Sequence, residues 1–289
     1  MNKTADRNNR SYTLITGASH GIGKAMAEEC AKRGMNLALI ALPDEQLHHI
    51  ERRIQDRYEV EVCCLGIDLT RDDAIEQVKR WLADNKIQIN TLINNAGIGS
   101  SGHFDQVDPG QFEREIQLNI LSVVMLSRHL IGELKQNTPS HIMNVGSLAG
   151  FTGVPYKSIY TATKAFVNNF TMALQRELRS SDVHVTLLCP GSVATNIEGI
   201  RRAQQHGWLA RKSIMDPDEV AEAGIKGMMH GKSMVIPGLI NRFFYLLTRI
   251  LPSSLQTFLL MNEFKREMAA EDRESSLQNQ PPVAARPEE

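Results

Sequence analysis

The segment Thr16-Gly17-Ala18-Ser19-His20-Gly21-Ile22-Gly23 decides the fold of this chain. It follows a short apolar run at 11–16 and opens a stretch of helical periodicity from about residue 21 to 33. Its glycines permit a tight turn, and a helix N-terminus offers free N–H groups to a pyrophosphate. An ordinary glycine-rich turn is the alternative. The position directly after the first strand favours a nucleotide-binding turn.

Strands and helices alternate along the rest of the chain. We predict strands at 36–42, 59–65, 89–94, 141–145, 183–189 and 234–236, and helices at 44–57, 71–85, 109–133, 159–179 and 216–230. Near-continuous apolar strands separated by helices are typical of a parallel sheet covered on both faces. The prediction is therefore an α/β fold: a doubly wound, Rossmann-type parallel sheet of about seven strands with helices on both faces. Residues 1–238 would form this single domain.

Polar or glycine-rich segments end several of the predicted strands. Ligands of such sheets bind beyond the carboxyl ends of the strands. Five segments therefore converge on one rim and predict a single site, at 16–23, 68, 94–97, 146–147 and 190–195.

Composition excludes several classes of protein. The 289 residues are 42% apolar with a net charge of −1, which gives no basic excess for nucleic acid. The four cysteines have no spacing typical of a zinc site or a disulfide framework, so we expect no metal. The opening sequence MNKTADRNNRSYT lacks the apolar core of a signal peptide. We therefore expect a cytoplasmic protein with free thiols.

Tyr160 and Lys164 are the first candidate catalytic pair. Positions four apart share a helix face, so both side chains point into one cleft. Lowering a tyrosine pKa from ~10 to about 7 takes roughly 4 kcal/mol. One cation about 4 Å away supplies approximately that amount at an effective dielectric constant of ~20. The spacing predicts a tyrosine that acts as proton donor and acceptor.

Two polar residues complete the candidate constellation. Ser147 precedes Tyr160 by 13 residues, at the end of another strand, where its hydroxyl can hold a substrate oxygen. Asn119, in the helix at 109–133, can anchor a water between Lys164 and solvent. Each residue alone is more simply a turn serine, a surface amide, a buried aromatic or a solvated helix charge. Together they favour catalysis.

These motifs, in this order, resemble those of the short-chain dehydrogenase/reductase family from about Tyr12 to Gly238. The spacing G-x-x-x-G-x-G is that family's variant of the phosphate turn. The resemblance implies an NAD(P)-dependent oxidoreductase that transfers a hydride between nicotinamide and a carbonyl or alcohol group. It implies the catalytic tetrad Asn119, Ser147, Tyr160 and Lys164. Gly146 stands where the family usually has serine, which leaves Ser147 as the catalytic serine.

The resemblance also implies the cofactor-binding residues. Asp68 would bond to the adenine, residues 95–97 would line the ribose, and residues 190–195 would hold the nicotinamide. Asp68 capping the next helix is a competing interpretation. The full predicted set is Gly17, Ser19, His20, Gly21, Ile22, Gly23, Asp68, Asn95, Ala96, Gly97, Tyr160, Lys164, Pro190, Gly191, Val193 and Thr195.

The end of the second strand favours NADP over NAD. An acidic residue there would bind the 2′-hydroxyl of NAD. Ala41 and Leu42 are uncharged, and Pro43 biases Asp44 into the next helix. His20 either lends positive charge to a 2′-phosphate or stays solvated.

The last third of the sequence is expected to form the substrate-binding side of the site. The family resemblance implies a substrate lid at residues 196–215. Its basic residues would contact an acidic substrate or acyl thioester, or simply form a solvated helix face. Residues 239–267 predict an amphipathic helical extension, with apolar runs shorter than the ~20 residues that span a bilayer. Residues 268–289 predict a disordered polar tail.

That extension suggests a lipophilic substrate, such as a ketone, a steroid-like compound or an acyl chain. It would cover the cleft or pair subunits of a homodimer or homotetramer, with peripheral membrane contact through 239–266 as the alternative. Two other functions stay open. One is a catalytically silent dinucleotide-binding regulatory protein, and the other is a membrane-associated lipid-modifying reductase.

Overall fold

The computed structural model describes residues 11–194 and 212–252. These residues form seven strands and eight α-helices, with a π-helical turn at Gln117–Leu121 and a 3-10 turn at Leu148–Phe151. The elements in chain order are β1 (Ser11–Thr16), α1 (Gly21–Lys32), β2 (Asn36–Ala41), α2 (Glu45–Arg57), β3 (Val62–Gly66), α3 (Ala74–Asp84), β4 (Gln88–Asn94), α4 (Pro109–Ile116), α5 (Ser122–Gln136), β5 (Ser140–Val145), α6 (Ser158–Glu177), β6 (Val183–Leu188), α7 (Pro217–Met229), β7 (Met234–Val235) and α8 (Leu239–Ile250).

The seven strands form one parallel sheet in the order β3-β2-β1-β4-β5-β6-β7. The chain winds outward from β1 to β3, then returns past β1 and winds the other way. The strand order therefore reverses between β1 and β4, and this switch point opens a crevice at the carboxyl ends of the strands. The predicted doubly wound α/β fold is confirmed.

Successive strand residues enter two different cores, because side chains alternate across a sheet. Leu14 of β1 and Leu92 of β4 pack on one face with α3 and α5, whereas their neighbours Ile15 and Ile93 pack on the other with α1, α2 and α7. All four side chains are fully buried. Helices on both faces explain why the strands are apolar throughout.

The single long helix predicted at 109–133 is wrong in one respect. The structure divides it into α4 and α5, joined by the π-helical turn. Neither glycine nor proline lies in this turn, so composition gives no signal for it. The turn buries Asn119, which is 1% exposed, and α5 then continues along the sheet.

The predicted extension begins as α8, and the structure describes it as far as Pro252. No described helix is both long and apolar enough to cross a bilayer. The domain boundary at residue 238 stays a prediction. Thr195, residues 196–211 of the lid predicted at 196–215, and the rest of the extension and tail lie outside the described residues.

Candidate active site

The glycine-rich turn between β1 and α1 leaves its backbone open to a ligand. Gly17 has a φ of +67°, and a Cβ at Gly23 would lie 2.0 Å from the Gly17 carbonyl oxygen. Residues 21–23 begin α1, and the N-cap His20 makes no side-chain bond to the helix. Its Nδ1 instead lies 2.9 Å from Ser19 Oγ. The N–H groups of the first turn thus have no side-chain cap, and the turn fits a pyrophosphate.

The turn is fastened to the end of β4 by Asn95 and Thr16. Asn95 Nδ2 donates to the carbonyl oxygens of Thr16 (2.9 Å) and Gly17 (3.2 Å). The backbone N–H groups of Asn95 and Ala96 both donate to Thr16 Oγ1 at 3.0 Å. The Asn95 side chain therefore shapes the phosphate turn. Ala96 and Gly97, which follow Asn95 in the chain, would then line the predicted ribose site.

Two aspartates near the expected adenosine end are held by local bonds. Asp44 is the N-cap of α2 and accepts from the N–H of Leu47 at 3.0 Å, as its place after Pro43 predicts. Asp68 accepts from the N–H and the hydroxyl of Thr70, at 2.9 and 2.7 Å. Those bonds hold the pKa of Asp68 below its ordinary value. Asp68 caps a turn before α3 and leaves its second oxygen for a ligand, since both bonds reach Oδ1.

Ser147, at the carboxyl end of β5, lies within hydrogen-bonding reach of Tyr160. Ser147 is 7% exposed and is also the N-cap of the 3-10 turn, where it accepts from Ala149 N–H at 3.1 Å. Desolvation raises the pKa of Tyr160 above its ordinary value, the bond to Ser147 opposes the rise, and the carboxylate of Glu115 adds to it. The lowering expected from Lys164 together with an oxidised nicotinamide stays a prediction for the protein with bound cofactor.

Lys164 lies one helical turn beyond Tyr160 on α6, as predicted. Its Nζ is 6.0 Å from the centre of the Tyr160 ring and donates to the Val145 carbonyl oxygen at 2.9 Å. Only 6% of the residue is exposed, and this burial lowers the pKa of Lys164 to about 8. Burying an ammonium group costs less when an opposite charge lies beside it. A negative charge that develops next to Lys164 would therefore stabilise its charged form.

Asn119 lies in the site with its side-chain amide bonded within the protein, and the water that it is expected to anchor stays a prediction. Its Oδ1 accepts from the Ile98 N–H at 3.0 Å. Its Nδ2 donates to the Ile98 carbonyl oxygen at 2.8 Å and to Thr163 Oγ1 at 3.0 Å. Both amide protons are therefore used within the protein. The side chain ties the loop after β4 to α6.

Sequence reasoning missed Asn168, which positions Ser147. Asn168 lies two turns beyond Tyr160 on α6 and is 1% exposed. Its Nδ2 donates to the Ser147 carbonyl oxygen at 3.0 Å, and its Oδ1 accepts from the Ser147 N–H at 3.4 Å. A Cβ at Gly146 would lie 2.0 Å from that same Oδ1. The glycine that departs from the family's pattern thus makes room for Asn168.

A second missed residue is Glu115 of α4, a carboxyl group with no exposed surface. Its Oε2 accepts from both the N–H and the hydroxyl of Ser100, whereas Oε1 is buried without a hydrogen-bond partner in the described structure. Burial raises the pKa of Glu115, and the bonds from Ser100 and the charge of Lys164 oppose the rise. The helical periodicity of the sequence does not indicate that a glutamate at this position is buried.

The predicted nicotinamide turn follows β6 and is covered by α8. The Pro190 carbonyl oxygen accepts from Leu148 N–H at 3.0 Å, so this turn is bonded to the segment after Ser147. Val193 pairs with Met215 in an isolated parallel bridge. Asn241 of α8 packs so closely on Gly191 that a Cβ there would lie 2.4 Å from its Oδ1.

The sequence model of the short chain dehydrogenase family matches residues 11–206. The very-long-chain 3-oxoacyl-CoA reductase of Mus musculus is 32% identical over 195 residues, which cover 66% of this chain and 62% of the mouse protein. The match thus spans less than two thirds of that relative.

Two solved structures are similar over nearly the whole chain. The bulky-bulky ketone specific alcohol dehydrogenase from Comamonas testosteroni is 26% identical with a TM-score of 0.70, covering 96% of this chain and 98% of that one. A short-chain dehydrogenase from Sphingobium yanoikuyae in complex with NADPH is 29% identical with a TM-score of 0.70 and the same coverage.

Proposed function

Because the chain belongs to the short-chain dehydrogenase/reductase family, we propose that it reduces the carbonyl group of a lipophilic ketone or acyl substrate with NADPH. The observation that carries the proposal is that Ser147 and Tyr160 lie within hydrogen-bonding reach of each other, with Lys164 one turn away on the same helix. Two elements, the end of β5 and α6, bring these groups together. A structural role alone gives no reason for burying a lysine beside a tyrosine.

The four side chains divide the work of a reduction. Bound NADPH supplies the hydride that goes to the carbonyl carbon. Tyr160 donates its phenolic proton to the carbonyl oxygen, so that the alcohol forms and a phenolate remains. Ser147 donates a hydrogen bond to the same oxygen as negative charge develops on it. Lys164 stabilises the phenolate, and Asn119 holds the loop that faces both side chains.

Tyr160 and Lys164 have protonation states at neutral pH that suit a reduction. A phenol with a pKa above its ordinary value keeps its proton at neutral pH, so it is ready to donate. Lys164, with a pKa of about 8, is mainly protonated at pH 7 and is positively charged when the phenolate forms. Oxidation of the alcohol would need the opposite protonation state of Tyr160.

The adenosine end supports NADP over NAD. The Asp44 carboxylate, the acidic group nearest the end of β2 in sequence, is committed to the N-terminus of α2. Leu42 there is 54% exposed and offers no acceptor for a 2′-hydroxyl. His20 is exposed at the start of α1, where it can contact a 2′-phosphate.

A lipophilic substrate is supported by the inner face of α8. Tyr245 meets Phe151 edge-on with ring centres 4.9 Å apart, and both pack with Leu148, the residue after Ser147. The cover over this side of the site is therefore largely apolar and aromatic. The named activities of the mouse reductase and of the Comamonas enzyme are consistent with a bulky apolar substrate.

The test uses the purified full chain. Fluorescence titration should show NADPH binding at least tenfold more tightly than NADH. NADPH consumption is then followed with 3-oxoacyl thioesters of rising chain length, steroid ketones, bulky aryl ketones and small polar aldehydes. Turnover should favour the large apolar carbonyls. Tyr160→Phe should lose turnover by roughly 10²–10⁴-fold while still binding NADPH, since it removes the proton donor alone.

Tyr58→Phe is the matched control, because Tyr58 lies at the end of α2, away from the site. It should leave turnover unchanged. The proposal fails if neither nucleotide binds. It also fails if Tyr160→Phe turns over every substrate as fast as the unchanged protein does.

The outer face of α8 supports a second proposal, contact with an anionic bilayer. Leu239, Phe243, Leu246 and Ile250 are 57–79% exposed, and their spacing places them on one face. Arg242 and Arg249 are the charged residues of α8, and the helix contains no acidic residue. Exposed apolar faces of this kind usually have a partner. Apolar residues flanked by arginines suit the interface of an anionic membrane.

Sedimentation with vesicles tests this contact. The full chain should sediment with vesicles that contain phosphatidylserine but not with phosphatidylcholine alone, and Leu246→Glu or Arg249→Gln should weaken sedimentation. Failure to sediment, together with concentration-dependent dimerisation that Leu246→Glu abolishes, would assign this face to a homodimer instead.

We also infer a cytoplasmic location, because all four cysteines are free thiols.

A further inference from the structure

The short segment 97–100 after β4 lies directly against the catalytic pair. A Cβ at Gly97 would lie 3.3 Å from Lys164 Nζ, and a Cβ at Gly99 would lie 2.8 Å from Cδ2 of Tyr160. Only glycine allows the backbone to approach the Tyr160 ring this closely. The position of the segment therefore limits where the ring can lie.

One helix face holds this segment at two points. Asn119 bonds to both backbone groups of Ile98, as described above. Four residues earlier, Glu115 Oε2 accepts from the Ser100 N–H at 3.1 Å and from Ser100 Oγ at 2.6 Å. Residues four apart on a helix lie side by side. Asn119 and Glu115 thus form one clamp across the segment.

Glu115 is the more unusual half of the clamp. Glutamate is almost never fully buried unless it is paired, and its desolvation has a large cost. In the described part of the chain Glu115 forms no ion pair, and its Oε1 has no hydrogen-bond partner. A glutamine would satisfy Ser100 equally well. Burial also raises the pKa of Glu115, so the two bonds from Ser100 are what the geometry shows this carboxyl group to do.

We propose that Glu115 is a positioning residue for the reaction at Tyr160. It fastens Ser100 so that Gly99 stays against the Tyr160 ring, and its carboxylate acts on the Tyr160–Lys164 pair. This inference rests on the proposed reduction, because it assigns Glu115 a part in that same site.

The charges around the pair fix the sign of the electrostatic effect. The Glu115 carboxylate raises the pKa of Tyr160 and also raises that of Lys164, so it favours the protonated form of both. The other titratable group that acts on Lys164 is Cys189, at the end of β6. Burial raises the pKa of the Cys189 thiol to about 12, so it is uncharged at neutral pH. Removing the Glu115 charge should therefore lower the pKa of both Tyr160 and Lys164.

Three variants separate the clamp from the charge. Glu115→Gln keeps an oxygen that can accept both Ser100 bonds but removes the charge. Glu115→Met has a similar volume and removes both. Glu113→Gln is the matched control, because Glu113 is an exposed glutamate on the same helix. Hydrogen exchange at the Ser100 amide is measured on the cofactor-free protein, and steady-state reduction and its pH dependence are measured with NADPH.

Glu115→Met should exchange the Ser100 amide at least ~10-fold faster, because that N–H loses its acceptor. Its kcat should fall about 10–100-fold through misplacement of Tyr160, with KM for NADPH within about threefold of the original. Glu115→Gln should keep the slow exchange and most of kcat. The alkaline limb of its pH profile for reduction should move to lower pH, since Tyr160 would lose its proton earlier.

The inference is overturned if Glu115→Met exchanges and reacts like Glu113→Gln. It is also overturned if Glu115→Gln keeps slow exchange but loses as much kcat as Glu115→Met with an unshifted pH profile, since neither the Ser100 bonds nor the charge would then account for the loss. If the unchanged protein reduces no carbonyl, the proposed function fails instead. The exchange measurement then still decides whether Glu115 holds the segment.

Discussion

Replacing Lys164 by methionine should stabilise the cofactor-free protein at neutral pH while it removes turnover. Burial lowers the pKa of Lys164 from 10.5 to about 8. At about 1.4 kcal/mol per pH unit, the charged side chain costs the native state about 3 kcal/mol below pH 8. Methionine fills similar space without a charge. It leaves the Val145 carbonyl oxygen without its donor, which costs about 1 kcal/mol.

The net gain at pH 7 is therefore about 2 kcal/mol. For a domain of this size it corresponds to a rise of roughly 4–8 °C in the unfolding temperature. The sign depends on pH. Between pH 8 and 10.5 the unfolded chain binds more protons at this lysine than the native state does, so the unchanged protein gains stability as pH rises. Lys164→Met does not share that gain.

Thermal unfolding of both proteins at pH 7 and at pH 10 tests the reasoning. The variant should unfold at the higher temperature at pH 7 and at the same or a lower temperature at pH 10. Lys135→Met, at an exposed position on α5, should change neither value appreciably. A variant that is less stable at pH 7, or a difference that does not vary with pH, would refute the assignment of Lys164 as a destabilising buried charge.

Three further substitutions test the frame around the site. Gly23→Ala places a Cβ 2.0 Å from the Gly17 carbonyl oxygen, so NADPH affinity measured by fluorescence should fall at least tenfold or the turn should fail to form. Asp44→Ala should cost about 1 kcal/mol in urea unfolding, because α2 loses its cap, and should leave the preference for NADPH over NADH unchanged. Asn168→Ala removes the Asn168 bonds to both backbone groups of Ser147, and the Ser147 carbonyl oxygen keeps only the bond from Gly150 N–H. It should cost roughly 1–3 kcal/mol in unfolding free energy and lower kcat, a result that a surface role for Asn168 would not produce.

The fold could be predicted from the sequence because its signals are local and repeated. Apolar runs separated by helical periods predict the order of strands and helices, and the glycine turn after β1 marks the start. Helix ends agreed to within a few residues where a cap residue marks them, as Asp216 does for α7 with its capping box. The π-helical turn was not predictable in the same way. It depends on how Asn119 meets a loop that is 21 residues away in sequence.

The candidate site was predictable as far as its motifs reach. Tyr160, Lys164 and Ser147 lie together as predicted, and their catalytic roles await the tests above. Asn168 and Glu115 escaped prediction because their partners are backbone groups of distant segments. The desolvation that raises the Tyr160 pKa in the cofactor-free protein was not predictable either, because it depends on the packed interior and not on the spacing of two residues.

The contact between Gly146 and Asn168 couples two positions that lie 22 residues apart, so the residue at one position limits which residue the other can hold. A serine at 146 would place its Cβ within the volume of the Asn168 amide, and a smaller residue at 168 would leave Ser147 without the bonds that orient its backbone. Either substitution alone damages the protein. The two together are neutral only if another residue takes over the bonds that Asn168 makes to Ser147. Exchange between the two patterns is therefore epistatic, and grafting the family's usual serine into this chain requires a second, compensating change on α6.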